Sequence, residues 1–449
     1  MRASERRRIT ELPPEYQDLK LERAVLVGLA LGQHVETAEE SMAELERLTD
    51  TAGAEIVHTM VQRRQRPDPA TFFGRGKAEE VRDLVSATNA DTVIVDDELS
   101  PGQLRNLEDI IKVKVIDRTA LILDIFSQHA HSSEGKLQVE LAQLNYMLPR
   151  LRGWGEAKSR IGGGMTGRGG IGTRGPGETK LEVDRRRIKK RLAKLRDELR
   201  DVDRVRRTKR AERDRRQVPS IALVGYTNAG KSTLLNALTR AGVLVQDQLF
   251  STLDPTTRRL ELPDGRTVTL TDTVGFVRKL PHTLVEAFKS TLEETVEADL
   301  LVHVVDGSAV EPDVQYASVR EVLAEVGAAQ LPELIVVNKA DVLDEMTRVR
   351  ARRRFADGVL ISAASGEGLD DLLSEIAVRV PVPEVEVWLL VPYDRGDVVA
   401  ALHAAGAVRD EEFVAEGTLV HARLREDRSS RLETYRVDQG EADRLRSRA

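Results

Sequence analysis

Residues 225–232 read Gly225-Tyr226-Thr227-Asn228-Ala229-Gly230-Lys231-Ser232. The apolar run Ile221-Ala222-Leu223-Val224 precedes them, and the amphipathic stretch Thr233-Leu234-Leu235-Asn236-Ala237-Leu238 follows. Strand, glycine-bounded turn and helix, with Lys-Ser closing the turn, have the spacing of a phosphate-binding loop. Glycine lets backbone N–H groups close around phosphate oxygens without a Cβ in the way. The helix that follows turns the positive end of its dipole on the same anion. In this reading Lys231 reaches the β- and γ-phosphates and the Ser232 hydroxyl ligates Mg2+.

Three further segments sit at strand ends in the order such a site needs. Asp272-Thr273-Val274-Gly275 closes the alternating strand Thr267-Val268-Thr269-Leu270-Thr271. A carboxylate there can hold Mg2+ through water, and the Gly275 amide can meet the γ-phosphate. Asn338-Lys339-Ala340-Asp341 ends the apolar strand Leu334-Ile335-Val336-Val337. Asp341 can accept hydrogen bonds from both N1–H and the exocyclic amine of guanine, a pair adenine lacks. The wrong base would leave a buried carboxylate unpaired, so the motif selects GTP over ATP. Ser362-Ala363-Ala364 follows Val359-Leu360-Ile361 and can offer a backbone N–H to the guanine oxygen. The predicted substrate is GTP and the predicted cofactor Mg2+.

The chain has 449 residues, too many for one core, so two or three domains are expected. It has no cysteine, which excludes disulfide scaffolds, thiol nucleophiles and Cys-ligated zinc. Basic residues at the start are not followed by an apolar stretch, and no run is long enough to span a membrane. A soluble cytoplasmic monomer is expected. The net charge of −6 conceals a division: residues 185–216 hold 17 Lys/Arg against 6 Asp/Glu, a net of +11. The remainder therefore carries −17, and a basic segment on an acidic protein suggests a polyanion partner. A solvated charged helix is the plainer alternative.

Residues 1–20 are polar and carry Pro13-Pro14, the mark of a disordered arm. Residues 21–130 alternate strands (24–28, 55–57, 92–95, 114–117) with helices (37–51, 102–110), which predicts a small parallel α/β domain. Within it Gly74-Arg75-Gly76-Lys77 precedes a helix beginning at Ala78 and reads either as an anion-holding loop or as a tight strand-to-helix turn. Residues 131–217 carry two apolar seams. One is Leu137, Leu141, Leu144, Leu148 and Leu151; the other is Ile188, Leu192, Leu195, Leu199 and Val202. Such spacing predicts two long helices paired as an antiparallel hairpin. Its tip, residues 152–177, has 11 of the protein's 32 glycines, with Arg152, Arg160, Arg168 and Arg174 among them. Arginine pairs with phosphate and stacks on bases, so the tip is expected to contact RNA. Residues 218–382 form a P-loop GTPase domain with a mixed, mostly parallel sheet, and residues 383–449 a small α+β domain. The fold class is α/β.

These motifs together resemble the HflX family of ribosome-associated GTPases. The resemblance is carried by Gly74-x-Gly76-Lys77, Asp97-Glu98-Leu99-Ser100-Pro101, Asp117-Arg118-Thr119 and the glycine-rich stretch from Gly169 through Gly177-Glu178-Thr179 to Arg186. In the GTPase domain it is carried by residues 225–232 and by Phe250-Ser251-Thr252-Leu253-Asp254-Pro255-Thr256. Thr252, Thr256 and Thr257 are all in range to serve as the switch threonine. The family's Phe-x-Thr-Leu-Asp pattern implies that Thr252 ligates Mg2+ and that residues 250–254 lie at the nucleotide. It further implies a protein that binds the large ribosomal subunit, inserts the hairpin tip near the peptidyl-transferase region and splits stalled or idle ribosomes. An ATP site on the N-terminal domain is also implied, which the Gly74–Lys77 loop would suit. Asn228 stands where some related GTPases ligate potassium; bonding to loop backbone is its other reading. Phe276 stands where Ras-like enzymes place a water-orienting glutamine, so slow hydrolysis without the ribosome is expected. The alternatives are a GTPase of ribosome assembly or RNA modification, and a switch binding only proteins.

Overall fold

A computed structural model describes residues 23–32, 35–151, 180–215, 218–239, 249–250, 252–279, 281, 284, 288–382, 384–425, 429 and 432–447. The N-terminal unit runs β1 (Arg23–Leu31), α1 (Val35–Thr51), β2 (Glu55–Arg64), α2 (Arg75–Thr88), β3 (Thr92–Val95), α3 (Pro101–Ile111) and β4 (Lys114–Asp117). The strands lie in the order β2-β1-β3-β4 and all neighbours are parallel. The apolar run from Ala24 to Ala30 is buried throughout, as a strand covered on both faces requires. Edge strand β2 extends well past its apolar start, because partner β1 offers hydrogen bonds as far as Arg64. Ser100 caps α3 in a reciprocal capping box with Gln103, and Pro101 presets the first turn.

Two helices follow, α4 (Arg118–His129) and α5 (Ser133–Arg150). The first has no amphipathic seam: Leu121, Ile122, Leu123, Ile125 and Phe126 are all buried, so helical periodicity does not reveal it. The second pairs with α6 (Lys180–Arg215) as the antiparallel hairpin. Leu141, Leu144, Ile188, Leu192 and Leu195 form the buried seam, with Leu137, Leu148, Leu151 and Leu199 at its margins. Arg191 forks onto Glu140 with both bonds at 2.6 Å. The predicted arm over residues 1–20 and the arginines of the hairpin tip lie outside the described residues.

The third unit contains β5 (Ser220–Gly225), α7 (Lys231–Thr239), β6 (Thr256–Glu261), β7 (Thr267–Asp272), α8 (Lys289–Val296), β8 (Leu300–Asp306), α9 (Pro312–Glu325), β9 (Glu333–Asn338), α10 (Glu345–Arg354), β10 (Val359–Leu360) and α11 (Leu369–Arg379). Its sheet order is β10-β9-β8-β5-β7-β6, with β6 antiparallel to β7 and the other neighbours parallel. The last unit has β11 (Glu384–Val391), α12 (Gly396–Ala404), β12 (Val408–Val414), β13 (Gly417–Arg425), β14 (Arg436–Val437) and α13 (Gln439–Arg446). Its four strands form an antiparallel sheet in the order β12-β13-β11-β14. This is the α/β architecture that the sequence predicts, with a GTPase sheet at its centre. No helix among the described residues is long and apolar enough to cross a membrane.

The first and third units share a core. Leu249, Phe250, Leu253, Val274, Val277, Leu284 and Phe288 of the GTPase unit pack with Leu26, Leu45 and Ile94 of the N-terminal unit and with Leu121, Ile122 and Phe126 of α4, which lies against it. The Phe126 ring stands edge-on to Phe250 at 4.6 Å and to Phe288 at 4.8 Å between centroids. Phe126→Ala removes a ring packed on both sides and is expected to destabilise this junction by about 3–5 kcal/mol. The measurement is the urea midpoint of the first unfolding transition. A midpoint matching the parent's would show that the cluster does not hold the two units together.

Candidate functional site

The loop after β5 is shaped by close approaches that exclude a side chain at two positions. A Cβ on Gly225 would lie 2.2 Å from the Val304 carbonyl oxygen, and one on Gly230 would lie 2.3 Å from Asn338 Nδ2. Asn228 between them holds φ 59°, a left-handed conformation that asparagine tolerates better than most residues. Lys231 opens α7 and reaches back across the loop, donating to the carbonyls of Gly225 at 3.1 Å and Tyr226 at 2.9 Å. Burial pulls its ammonium down to about 8, against the attraction of Asp272.

Three oxygen-bearing side chains converge beside it. The Ser232 hydroxyl donates to Asp272 Oδ2 at 2.6 Å and lies 2.7 Å from Thr252 Oγ1. Asp272 Oδ1 is buried and has no hydrogen-bond partner among the described residues. Burial raises the Asp272 carboxyl above the usual carboxylate range, and Lys231 opposes the shift. Two hydroxyls and a carboxylate with one oxygen unbonded make a hard, all-oxygen donor set, which fits Mg2+. No cluster of three or more His, Cys, Asp or Glu suited to a metal exists among the described residues. A cation here would therefore complete its shell with phosphate and water, as Mg2+ does. Of the three candidate switch threonines, Thr252 is the one against Ser232; Thr257 is engaged with Thr271 at 3.0 Å across the β6–β7 pair.

The segment after β7 lies directly on the loop. A Cβ on Gly275 would be 2.7 Å from Thr227 Cγ2 and 3.2 Å from Lys231 Nζ. The Phe276 amide donates to Gly225 O at 3.2 Å, and the Thr227 amide donates to Phe276 O at 2.7 Å. The Phe276 ring itself turns into the core with Val224, Leu292 and Leu301. Thr273 spends its hydroxyl on Leu223 O at 2.7 Å, and Val274 is buried against the N-terminal unit.

On the base side, Asn338 Nδ2 donates to Ala229 O at 2.8 Å, and its Oδ1 accepts from the Ala363 amide at 2.9 Å. One side chain thus ties the phosphate loop to the loop after β10. Asp341 accepts from the Ser362 hydroxyl at 2.5 Å, and Lys339, at φ 68°, pairs with Asp306 at 2.7 Å. Ala340 is buried, and Ala364 is exposed at the rim. Ser251 lies outside the described residues, whereas Phe250 and Leu253 are buried against the N-terminal unit. The Asp254 carboxylate is directed away from this cluster, onto the backbone of His131 and Ser132.

Sequence reading missed the polar network behind the loop. The Tyr226 hydroxyl donates to Glu44 Oε1 at 2.6 Å and accepts from the Arg278 amide at 2.6 Å. Its burial pushes the phenol well above its ordinary value. Arg118 bridges Glu44 and Asp96, both at 2.7 Å, and Lys279 reaches Asp97 at 3.1 Å. The available signal was Glu44 beside the apolar face of α1, between Met42 and Leu45, where an unpaired charge is costly to bury.

With this geometry established, three family models match the chain: a GTP-binding GTPase N-terminal region over residues 39–127, a GTP-binding GTPase middle region over 129–213, and a 50S ribosome-binding GTPase over 220–339. A relative from Caldanaerobacter subterraneus subsp. tengcongensis, GTPase HflX, is 47% identical over 414 residues, which is 92% of this chain and 94% of the relative. The chain belongs to the HflX family of GTPases. GTPase HflX of Escherichia coli K12 is 42% identical over 401 residues, covering 89% of this chain and 92% of that protein. A GTP-binding protein from Sulfolobus solfataricus, solved in complex with GDP, is 25% identical over 80% of this chain and 98% of its own, with a TM-score of 0.41. HflX membership places the chain among GTP-hydrolysing enzymes.

The Lys231 shift has a readable consequence. Between about 8 and the ordinary lysine value of 10.5 the folded free protein binds fewer protons here than the unfolded chain, so its stability rises with pH in that window. A triphosphate set against Lys231 would favour its charged form, so GTP binding above pH 8 is expected to take up a proton. Affinity is expected to fall by up to about tenfold per pH unit above 8, with the dependence gone in Lys231→Met. Calorimetry in buffers of different ionisation enthalpy reads the proton uptake; none at pH 8.5 would refute the assignment.

Proposed function

We propose that this HflX protein is a GTP-dependent factor that binds the large ribosomal subunit and splits stalled or idle ribosomes, hydrolysing GTP on release. The observation that carries the reading is the convergence of Ser232, Thr252 and Asp272 beside Lys231, in a chain that also bears the strongly basic helix α6. Residues 225–232 would cradle the phosphates, with Lys231 neutralising charge between the β- and γ-groups. Ser232 and Thr252 would ligate Mg2+, and Asp272 would hold it through water. Bound there, the ion would neutralise charge developing on the phosphate oxygens. The Gly275 amide would meet the γ-phosphate; Asp341 would read the guanine edge and the Ala364 amide its oxygen, with the Ala363 amide held by Asn338 Oδ1.

The arginines Arg152, Arg160, Arg168 and Arg174 would contact ribosomal RNA near the peptidyl-transferase region, and the basic face of α6 would support them. Asn228 would contribute to a potassium site that substitutes for an arginine finger. Phe276 keeps its ring in the core, so its position supplies no polar group to orient water, and the ribosome would complete the site.

Sedimentation of ribosomes through sucrose with this protein tests the reading. Co-migration with the large subunit under a non-hydrolysable GTP analogue but not GDP, with loss of the intact-ribosome peak, is the expected result. Absence from the large subunit in both nucleotide states would overturn it. Hydrolysis should be slow alone, rise with added large subunits, and be faster in K+ than in Na+; equal rates in the two salts would remove the potassium role.

A further inference from the structure

The loop carrying Thr252 is anchored at two ends. Thr252 Oγ1 lies 2.7 Å from Ser232 Oγ, at the metal-binding cluster. Two residues on, Asp254 sits at the start of α5, the first arm of the hairpin. Its Oδ2 accepts from the Ser132 amide at 2.7 Å and the His131 amide at 3.2 Å, and its Oδ1 accepts from the Ser132 hydroxyl at 2.5 Å. The same hydroxyl accepts from the Gly135 amide at 2.8 Å and so caps α5. Asp254 thus completes the cap of a helix more than a hundred residues earlier in the chain. Position 135 is fitted to it: a Cβ on Gly135 would lie 2.4 Å from Asp254 Oδ1. Between the two anchors, Leu253 is buried in the apolar cluster that contains Phe126, leaving the connecting backbone little slack.

We propose that Asp254 and Ser132 couple the γ-phosphate and metal site to the base of the hairpin, so that the nucleotide sets how firmly the RNA-contacting arm is held. The inference rests on the reading of Thr252 as a Mg2+ ligand. A cation and γ-phosphate that draw Thr252 inward fix Asp254 on the cap; their loss releases both together. The bonds are suited to this. A carboxylate accepting three hydrogen bonds at a helix N-terminus is held by charge-assisted bonding and by the helix dipole, yet the contact is one side chain and can be given up as a unit. Asp254 is a positioning residue, acting on the nucleotide through Thr252 and on the hairpin through Ser132 and the His131 amide.

The test uses the full-length protein without ribosomes. Amide hydrogen exchange over residues 132–140 is compared with a non-hydrolysable GTP analogue and with GDP, each with Mg2+. In the parent, exchange is expected to be about tenfold slower with the analogue. Ser132→Ala removes the cap hydroxyl from the hairpin side, and Gly135→Ala pushes the carboxylate off; neither residue touches the nucleotide site. Both are expected to reduce the nucleotide difference to less than about twofold, while Ser132→Thr, which keeps the hydroxyl, preserves it. Fluorescent GDP affinity serves as the folding control and should stay within about twofold of the parent. Equal exchange in the two nucleotide states of the parent, or a full difference retained by Ser132→Ala and Gly135→Ala, would overturn the coupling. The readout is independent of ribosome binding, so a failed sedimentation experiment leaves it standing, and its failure leaves the sedimentation result untouched.

Discussion

The guanidinium of Arg118 is the constraint on which the joint between the two α/β units depends. It is buried, with one nitrogen 2.7 Å from Glu44 and another 2.7 Å from Asp96. One cation does not use up two carboxylates. The remaining capacity of Glu44 is met by Tyr226 from the phosphate loop, and that of Asp96 by Ser41 and by Lys279 from the segment after β7. Removing one partner from a buried ion pair costs about 3–5 kcal/mol. The GTPase unit therefore supplies ligands to charges that the N-terminal unit has already buried, and separation would strand them.

The location of this network follows from strand order. In the sheet β2-β1-β3-β4, β1 connects outward to β2 and β3 outward to β4, so the strand order reverses between β1 and β3. Open α/β sheets ordinarily bind a ligand at this switch point. Here Asp96 immediately follows β3, Ser41 and Glu44 lie on the helix after β1, and the groups they receive are protein: Tyr226 and Lys279 of the same chain. The N-terminal unit thus receives the nucleotide machinery where a relative in architecture would receive a small molecule.

Much of this could be read from the sequence, because its motifs are local. The phosphate loop, the Asp272–Gly275 turn and the Asn338–Asp341 turn each follow an apolar strand within a few residues, and close approach at Gly225 and Gly230 explains the glycines in the pattern. The hairpin was legible because a leucine seam is a periodic signal. What escaped was non-local or aperiodic. Helix α4 is buried nearly all round, so it has no stripe to detect. Strand β12 carries Arg409, Asp410, Glu411 and Glu412 in succession, since an edge strand facing solvent needs no alternation, and only its pairing with β13 defines it. The family pattern implies that Asp254 lies at the nucleotide, yet its carboxylate is bonded to His131 and Ser132, which no spacing rule connects to it.

The same long-range packing limits how the switches can respond to the nucleotide. In small GTPases the switch loops can become disordered when the γ-phosphate leaves, because they bury little. Here Phe250 and Leu253 before β6, and Val274 and Val277 after β7, lie in one cluster with Phe126. Exposing a single side chain of this kind costs about 1.5–3 kcal/mol. Melting both segments would thus sacrifice several such terms and strand Glu44 and Asp96 as well. Moving the two units together as packed bodies keeps those contacts and concentrates the change at joints made of few bonds. The cap at Ser132 is such a joint, with three hydrogen bonds to one carboxylate and a glycine at position 135 to admit it.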